Sequence, residues 1–203
     1  MNTQLNEVSQ ELKRRGFTVE IFPDANTVKE HLLKQVGDSS VGFGGSMSVK
    51  NMQLYETLEQ KGNEVYWHWY TPGAVRETAE KARLADYYIT SINALTKDGR
   101  MVSVDGRGNR IATTFFGPPN VIFVVGRNKL VETLDDAFTR LKTIACIQNA
   151  KRLNKKTPCG VSGVCTDCRS KDRFCCVTSI LEYLPDGGDI EIFVYLVDED
   201  LGY

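Results

Sequence analysis

The 203-residue sequence predicts one α/β domain, in which helices flank a mainly parallel sheet. Strand-like and helix-like apolar patterns alternate through its first half, and the connections between them are short. Hydrophobic residues make up 41% and charged residues 25%, which is typical of a globular protein. We therefore expect a single domain over residues 1–203, with a cysteine-rich, metal-binding segment within it at residues 151–176.

The first ninety residues are predicted to alternate between helices and strands. Apolar residues recur at helical spacing in four segments, at residues 5–12, 28–36, 52–58 and 75–84. Short apolar runs predict four strands, at residues 17–22, 41–43, 65–69 and 86–90. Thr27 and Glu30 fit a capping box, which would begin the second helix.

The middle of the chain departs from this alternation. Predicted strands at 101–104 and 111–115 flank the sequence D-G-R-G-N, whose residues tolerate positive φ, so we expect a β-hairpin. Residues 120–125 form the most apolar strand pattern, which indicates the centre of the sheet. A long helix is predicted at 134–153, and a last strand at 190–197.

Composition and charge argue against several functional classes. Lys and Arg number 25 and Asp and Glu 26, so the net charge of −1 does not favour nucleic acid as a partner. Apolar runs are too short for a membrane span, and the polar N-terminus shows no signal or transit pattern. We therefore expect a cytoplasmic protein with no membrane partner. The aromatic run at 66–70 could lie on an exposed sheet edge and support a homodimer.

Five of the six cysteines fall close together near the C-terminus. Four of them follow the pattern C-x5-C-x2-C-x6-C, namely Cys159, Cys165, Cys168 and Cys175, and Cys176 follows directly. Residues 151–176 contain seven basic side chains and two acidic ones, a local balance of +5. Positive surroundings of this kind favour thiolates and an anionic cluster.

Three interpretations of these cysteines remain open. Disulfides are one, although nothing in the sequence indicates an oxidising compartment. A structural zinc site is the second, but such sites usually pair two C-x2-C knuckles, and only Cys165 and Cys168 form one. A [4Fe–4S] cluster tolerates wider and unequal spacing, so it is the favoured cofactor, with Cys176 as a substitute ligand. Cys146, on an apolar helix stripe, is interpreted as a packing residue.

A glycine-rich turn, G-F-G-G-S-M-S at residues 42–48, joins a predicted strand to a helix. Its backbone N–H groups could face an anion. Met47 occupies the third glycine position of a dinucleotide fingerprint, and the lysine of a P-loop is missing. A tight turn capped by Ser46 or Ser48 is the alternative. Residues 126–129 follow the predicted central strand, where open α/β sheets bind ligands.

Ordered motifs along residues 41–203 resemble the LUD-domain family, the lactate-utilization C-type proteins. They are G-F-G-G-S-M-S, A-D-Y-Y-I-T-S-I-N-A-L-T-K-D-G, V-D-G-R-G-N-R, F-G-P-P-N-V-I-F-V-V-G-R-N-K and the closing L-G-Y. The resemblance implies a fold similar to ribose-phosphate isomerases and CoA transferases. It also implies a link with lactate oxidation, and it implies that the partners are iron–sulfur redox proteins. The cysteine segment resembles that of a subset of the family.

The resemblance also implies a site for a small anionic metabolite. Its motif positions include Asp98 and a set of expected ligand-binding residues: Gly44, Gly45, Ser46, Ser48, Asn93, Asn109, Gly126 and Asn128. The candidate catalytic residues are Asp105, Arg110 and Lys129. Arg110 and Lys129 would pair with a carboxylate or phosphate, and Asp105 would orient Arg110 or act as a base.

The leading hypothesis is a cytoplasmic iron–sulfur protein of lactate or small-carboxylate metabolism, active in electron transfer or cluster-dependent chemistry. One alternative is a non-catalytic regulatory or accessory subunit of a lactate-oxidising complex, with a structural zinc site. The other is an isomerase- or transferase-like enzyme acting on a phosphorylated or CoA-linked substrate.

Overall fold

A computed structural model describes residues 2–187 and 189–203 of the chain. Its α-helices in these residues are α1 (Thr3–Arg14), α2 (Ala25–Val36), α3 (Met47–Asn51), α4 (Leu54–Lys61), α5 (Val75–Arg83), α6 (Asn109–Thr113), α7 (Leu134–Arg140), α8 (Cys146–Arg152) and α9 (Pro158–Ser162). The strands are β1 (Thr18–Phe22), β2 (Val41–Phe43), β3 (Val65–Tyr66), β4 (Tyr87–Thr90), β5 (Ala94–Thr96), β6 (Met101–Asp105), β7 (Asn120–Gly126), β8 (Leu130–Val131), β9 (Val177–Leu181) and β10 (Glu191–Val197).

The main sheet has six parallel strands in the order β1-β10-β7-β4-β2-β3. The predicted α/β fold is therefore confirmed, and the apolar strand β7 lies inside the sheet between β10 and β4. Its side chains alternate between two apolar clusters on opposite faces. Ile122 and Val124 pack in one cluster with residues of α2 and α4, whereas Val121 and Phe123 pack in the other with α1.

A second, four-stranded sheet has the order β8-β5-β6-β9. The hairpin predicted around residues 105–109 is wrong, because α6 replaces its second strand. The Asp105 carboxylate accepts hydrogen bonds from the backbone N–H groups of Arg110 (3.0 Å) and Ile111 (3.4 Å), and so favours a helical turn there. The antiparallel partners of β6 are β5 and β9, and β9 begins directly after the cysteine segment.

The long helix predicted at 134–153 is present as α7 and α8, joined by a π-helical stretch, Leu141–Ala145. Thr133 and Asp136 form a capping box at its start. π-Helical turns are rare and occur frequently at functional sites. This one lies between Arg140 and Cys146, which belong to two different groups of side chains described below.

Two local predictions need correction. Helix α2 begins at Ala25 because Asp24 provides its N-cap, accepting a hydrogen bond from Thr27 N (2.8 Å), so Thr27 is inside the helix. Strand β3 covers only two residues of the predicted five and does lie at the sheet edge, but Trp67 of the aromatic run is buried in the core. The homodimer remains a prediction.

Among the described residues, no helix combines the length and the apolar character that a bilayer crossing requires.

Candidate functional site

A cleft of about 430 Å³ opens at the carboxyl ends of three neighbouring strands of the main sheet. Gly45–Ser48 follow β2, Ser91 and Asn93 follow β4, and Lys129 follows β7, and all of them line this cleft. Parallel α/β sheets place ligands at this edge, because the loops that leave their strands converge there. The topology therefore brings together motifs that lie far apart in the sequence.

Lys129 lies at the innermost part of the cleft and is only 2% exposed. Its Nζ donates hydrogen bonds to Ser48 Oγ and Ser91 Oγ, both at 2.7 Å. The two hydroxyls donate in turn to the carbonyls of Leu201 and Val124, so their lone pairs are directed at the amine. We call Lys129, Ser48 and Ser91 the inner end of the cleft.

Two buried arginines stand beside this inner end. Arg110 donates to the carbonyls of Ser91 and Val104, each at 2.8 Å, and Arg140 donates to the carbonyls of Asn93 and Asn128. Within residues 2–187 and 189–203, the ion pairs do not include Arg110, Arg140 or Lys129. Three basic groups are thus buried with neutral acceptors.

This environment changes the proton affinity of the lysine. Burial, followed by the positive charges of Arg140 and Arg110, lowers the pKa of Lys129 well below its usual 10.5. Burial also lowers the pKa of Arg110, which the Asp105 carboxylate partly opposes. An anion entering the cleft would relieve this repulsion and would favour the protonated amine.

Further basic side chains lie at the opening of the cleft, which we call its mouth: Arg107, Arg152 and Lys155. The Arg152 guanidinium stacks 4.4 Å above the Trp69 ring, and its Nε donates to the Tyr203 hydroxyl at 2.9 Å. Burial and the charge of Arg107 lower the pKa of His68 nearby. In all, five Lys or Arg side chains and one acidic side chain, Asp105, line the cleft.

A second, smaller cavity of about 20 Å³ lies next to the cleft, and we call it the thiol cavity. Five cysteines line it: Cys146, Cys159, Cys165, Cys168 and Cys175. Arg173 fixes the surrounding segment, because its guanidinium donates to the carbonyls of Cys168 (2.7 Å) and Cys175 (3.2 Å). The Cys176 side chain is exposed and does not line the cavity.

All six cysteines are free thiols. Burial, and then the neighbouring Cys175, Cys159 and Cys165, raise the pKa of Cys146 to about 12. Burial likewise raises the pKa of Cys175, although the charge of Arg173 opposes it. Among the described residues, no three His, Cys, Asp or Glu side chains are grouped closely enough to hold a single metal ion.

The cleft and the thiol cavity share a wall formed by Cys146 and Phe174. Gly106 permits close packing here, because a Cβ atom at this position would lie 2.9 Å from the Phe174 carbonyl oxygen. The backbone N–H of Cys176 donates to the Asp105 carbonyl at 2.9 Å. The segment that carries the cysteines is therefore attached to the strand that carries Asp105.

The structure brings most of the predicted ligand-binding residues into the cleft, namely Gly45, Ser46, Ser48, Asn93, Asp105, Asn109, Arg110 and Lys129. Three others stand behind it: Gly44 packs against Thr90, and Gly126 and Asn128 contact the C-terminal residues Leu201 and Gly202. Asp98 lies elsewhere, beside Arg15 and Arg100.

Sequence reasoning missed several residues of the site. Cys146 is buried, as predicted, and the sequence does not reveal that it also lines both cavities. Trp69, Arg152 and Tyr203 were not singled out, although they cluster at the mouth. The positive charge of residues 151–176 is the available signal for Arg152, but the same charge is also expected around the cysteines.

Comparisons with known proteins agree with this architecture. The sequence model of the LUD domain family matches residues 5–197, whereas the motifs that resemble the family begin at residue 41. The structure is similar to that of a DUF162 family protein from Deinococcus radiodurans, with 14% sequence identity, a TM-score of 0.56 and 96% of each chain covered.

A weaker likeness is to a D-ribose-5-phosphate isomerase in complex with phospho-erythronic acid, with 16% identity and a TM-score of 0.37 over 65% of this chain and 66% of that one. No curated protein matches the chain. The family match supports a role associated with lactate utilisation. Since it covers nearly the whole sequence, the chain belongs to the LUD-domain family.

Proposed function

We propose that this protein binds a small carboxylate in the cleft and an iron–sulfur cluster at the thiol cavity, and that it acts in lactate or small-carboxylate metabolism. The observation that carries the proposal is the shared wall. Cys146 and Phe174 line both cavities, so a carboxylate in the cleft and a group held by the cysteines would be close neighbours.

The donor set of the thiol cavity fits a cluster. Cys159, Cys165, Cys168 and Cys175 face one space from a short stretch of chain, and thiolates are the usual ligands of iron–sulfur clusters. The present volume of about 20 Å³ is smaller than a cubane needs. Most of the segment between α9 and β9 is irregular, and the proposal requires this segment to move outward when the cluster binds. When bound, a cubane would supply a one-electron carrier.

The protein's own residues would hold and orient the carboxylate. Lys129, once protonated, has three N–H groups, and Ser48 and Ser91 accept two of them. The third can donate to a carboxylate oxygen in the cleft. The positive charge of Arg110 would also attract the carboxylate, while its guanidinium keeps its hydrogen bonds to the carbonyls of Ser91 and Val104. Asp105 lines the same cleft and is the only carboxylate among the described lining residues, so it is the candidate base.

A cytoplasmic location is part of this proposal. The six free cysteines support this location, because thiols stay reduced in the cytoplasm. The expected partners are iron–sulfur redox proteins of lactate oxidation, which could exchange electrons with the bound cluster.

The test is anaerobic expression and purification, followed by measurement of iron, acid-labile sulfide and zinc per chain. The proposal predicts brown protein with about four iron and four sulfide, and bleaching in air. A colourless protein with one zinc per chain would overturn the cluster and would favour the accessory-subunit alternative. Binding of lactate is measured on the same sample by the fluorescence of Trp69.

A further inference from the structure

The cleft is larger and more basic than a three-carbon acid requires. Its volume of about 430 Å³ lies in the range of roughly 300–1,000 Å³ that is typical of sites for drug-sized ligands. Lactate has only six non-hydrogen atoms and a single negative charge. Five Lys or Arg side chains and one Asp line the cleft, in a protein whose net charge is −1. One small monoanion would leave most of this charge unmatched.

The basic side chains are arranged at two depths. Lys129 is 2% exposed at the inner end, where Ser48 and Ser91 bind its amine. Arg107 and Arg152 are exposed at the mouth. Lys129 is hydrogen-bonded to Ser48 and Ser91, whereas Arg152 is hydrogen-bonded to Tyr203 and Asn149, so the inner and outer groups share no partner. We expect a compact anion to bind only one of the two groups.

The mouth is already organised to receive a negative group. The Arg152 guanidinium lies over the Trp69 ring, with its Cζ 4.4 Å from the ring centroid. Its Nε donates to Tyr203 and its Nη2 donates to Asn149 Oδ1 at 2.7 Å. These partners are neutral, and within the part of the chain that the structure describes Arg152 makes no ion pair. Holding a guanidinium in place reduces the entropy cost of binding an anion.

We propose that the cleft binds an elongated molecule with an anionic group at each end. A carboxylate would lie at the inner end beside Lys129, and a phosphate or a second carboxylate would lie at the mouth beside Arg152. This inference rests on the proposed function, since both require a carboxylate at the inner end. It extends that function by naming the substrate class: two-ended anions, of which lactate is only a fragment.

The test compares three probes on the anaerobically purified full chain. Lactate carries one anionic end, 2-hydroxyglutarate carries two carboxylates, and 3-phosphoglycerate carries a carboxylate and a phosphate. Quenching of Trp69 reports binding, because Trp69 lines the cleft whereas Trp67 is 1% exposed in the core. We expect at least one two-ended probe to bind about tenfold or more tightly than lactate, since its second anionic group accepts a further hydrogen bond from a charged donor.

Variants at the mouth show whether tighter binding of a two-ended probe depends on Arg152 or on positive charge anywhere near the cleft. Arg152→Gln should remove the advantage of the two-ended probe, so that this probe and lactate bind the variant with affinities within about twofold of each other. Arg107→Gln provides a second variant in a loop, in case the loss of stacking on Trp69 disturbs folding. Lys151→Gln is the matched control, because Lys151 is exposed on the same helix but does not line the cleft.

Three outcomes decide the matter. A tighter two-ended probe whose advantage disappears in Arg152→Gln supports the inference, and which probe gains tells phosphate from carboxylate. Lactate binding as tightly as both longer probes overturns the inference and leaves the proposed function intact. Failure of all three probes to bind overturns the carboxylate site itself, and the inference with it.

Discussion

The cleft and the thiol cavity share a wall, but different parts of the fold hold them in place. The inner end of the cleft is built from side chains that follow β2, β4 and β7, and its basic groups are buried and hydrogen-bonded. The thiol cavity depends on an irregular segment, Gly163–Cys176, in which Arg173 provides the main internal hydrogen bonds. One site is organised by the sheet, and the other by a loop.

This difference indicates how each site depends on its ligand. Anion binding should need little rearrangement of the cleft, because its donors are already positioned. Ordering of the cysteine segment should depend on a bound metal group, because metal binding commonly supplies folding energy to loops of this kind. The cleft should therefore keep its affinity without the cluster, and the cluster should assemble without a ligand in the cleft.

The largest expected effect is on metal content. Cys165→Ser removes a thiolate from the thiol cavity, and we expect most of the iron to be lost under anaerobic purification. Cys176→Ser is the matched control and should keep its iron, because Cys176 is exposed outside the cavity. Lactate affinity should be equal in both variants. Equal iron in both, or iron lost only in Cys176→Ser, would contradict the ligand assignment.

The next largest effect is on anion affinity. Lys129→Met should weaken lactate binding by about tenfold to a hundredfold, because it removes a charge-assisted hydrogen bond. Its iron content should match that of wild type. Thermal stability should stay the same or rise, since a buried cation without an ion pair is replaced by an apolar side chain of similar length. Unchanged lactate affinity, measured by Trp69 fluorescence, would exclude Lys129 as the inner anchor.

Binding should also depend on pH. The pKa of Lys129 is lowered in the free protein, so the amine gains its charge only as the pH falls towards that depressed value. Lactate affinity should therefore rise as the pH falls. The unfolded chain binds this proton more readily, so between the depressed pKa and 10.5 the free energy of unfolding should increase with pH.

Titrations and thermal melts across this range check both signs. Lys129→Met is the control, because any slope that remains in it belongs to other groups such as His68, whose pKa is also lowered. If the variant keeps the full pH dependence of lactate binding, Lys129 is not the titrating group.

The smallest effect concerns the shared wall. Phe174→Ala should leave iron and lactate binding in place under anaerobic conditions, because Phe174 is neither a thiolate nor a cleft charge. It should make the cluster bleach severalfold faster in air, since Phe174 packs over Cys159 and Ile147 beside the cavity. Tyr183→Ala, which removes an exposed aromatic ring, is the control and should bleach at the wild-type rate. Equal rates would show that Phe174 does not shield the cavity.

The main sheet could be predicted because its signals are local. Strand β2 coincides with the predicted residues 41–43, and β7 was recognised from its continuous apolar run. The second sheet could not be predicted, since β6 pairs with β9 across more than seventy residues and the loop after β6 resembles a hairpin turn. Nothing in the local pattern shows that the Asp105 carboxylate instead accepts hydrogen bonds from the backbone N–H groups of Arg110 and Ile111 in α6.

The candidate site, like the fold, could be predicted in part from the sequence. Glycines, serines and basic residues after strand ends were found from motifs, and the four spaced cysteines do face one cavity. Cys146 is buried, as its place on an apolar helix stripe predicts, but that stripe does not indicate that it also lines both cavities. The π-helical turn directly before it, Leu141–Ala145, changes the helical periodicity, and a sequence pattern alone does not reveal such a turn.

The central claim is that the cluster and the carboxylate are neighbours across the wall formed by Cys146 and Phe174. The most direct measurement is the electron paramagnetic resonance spectrum of the anaerobic, dithionite-reduced protein, with and without saturating lactate. We predict that lactate changes the spectrum of wild type, and that the same concentration leaves the spectrum of Lys129→Met unchanged. An identical spectrum in wild type, with lactate shown to be bound by Trp69 fluorescence, would contradict the account.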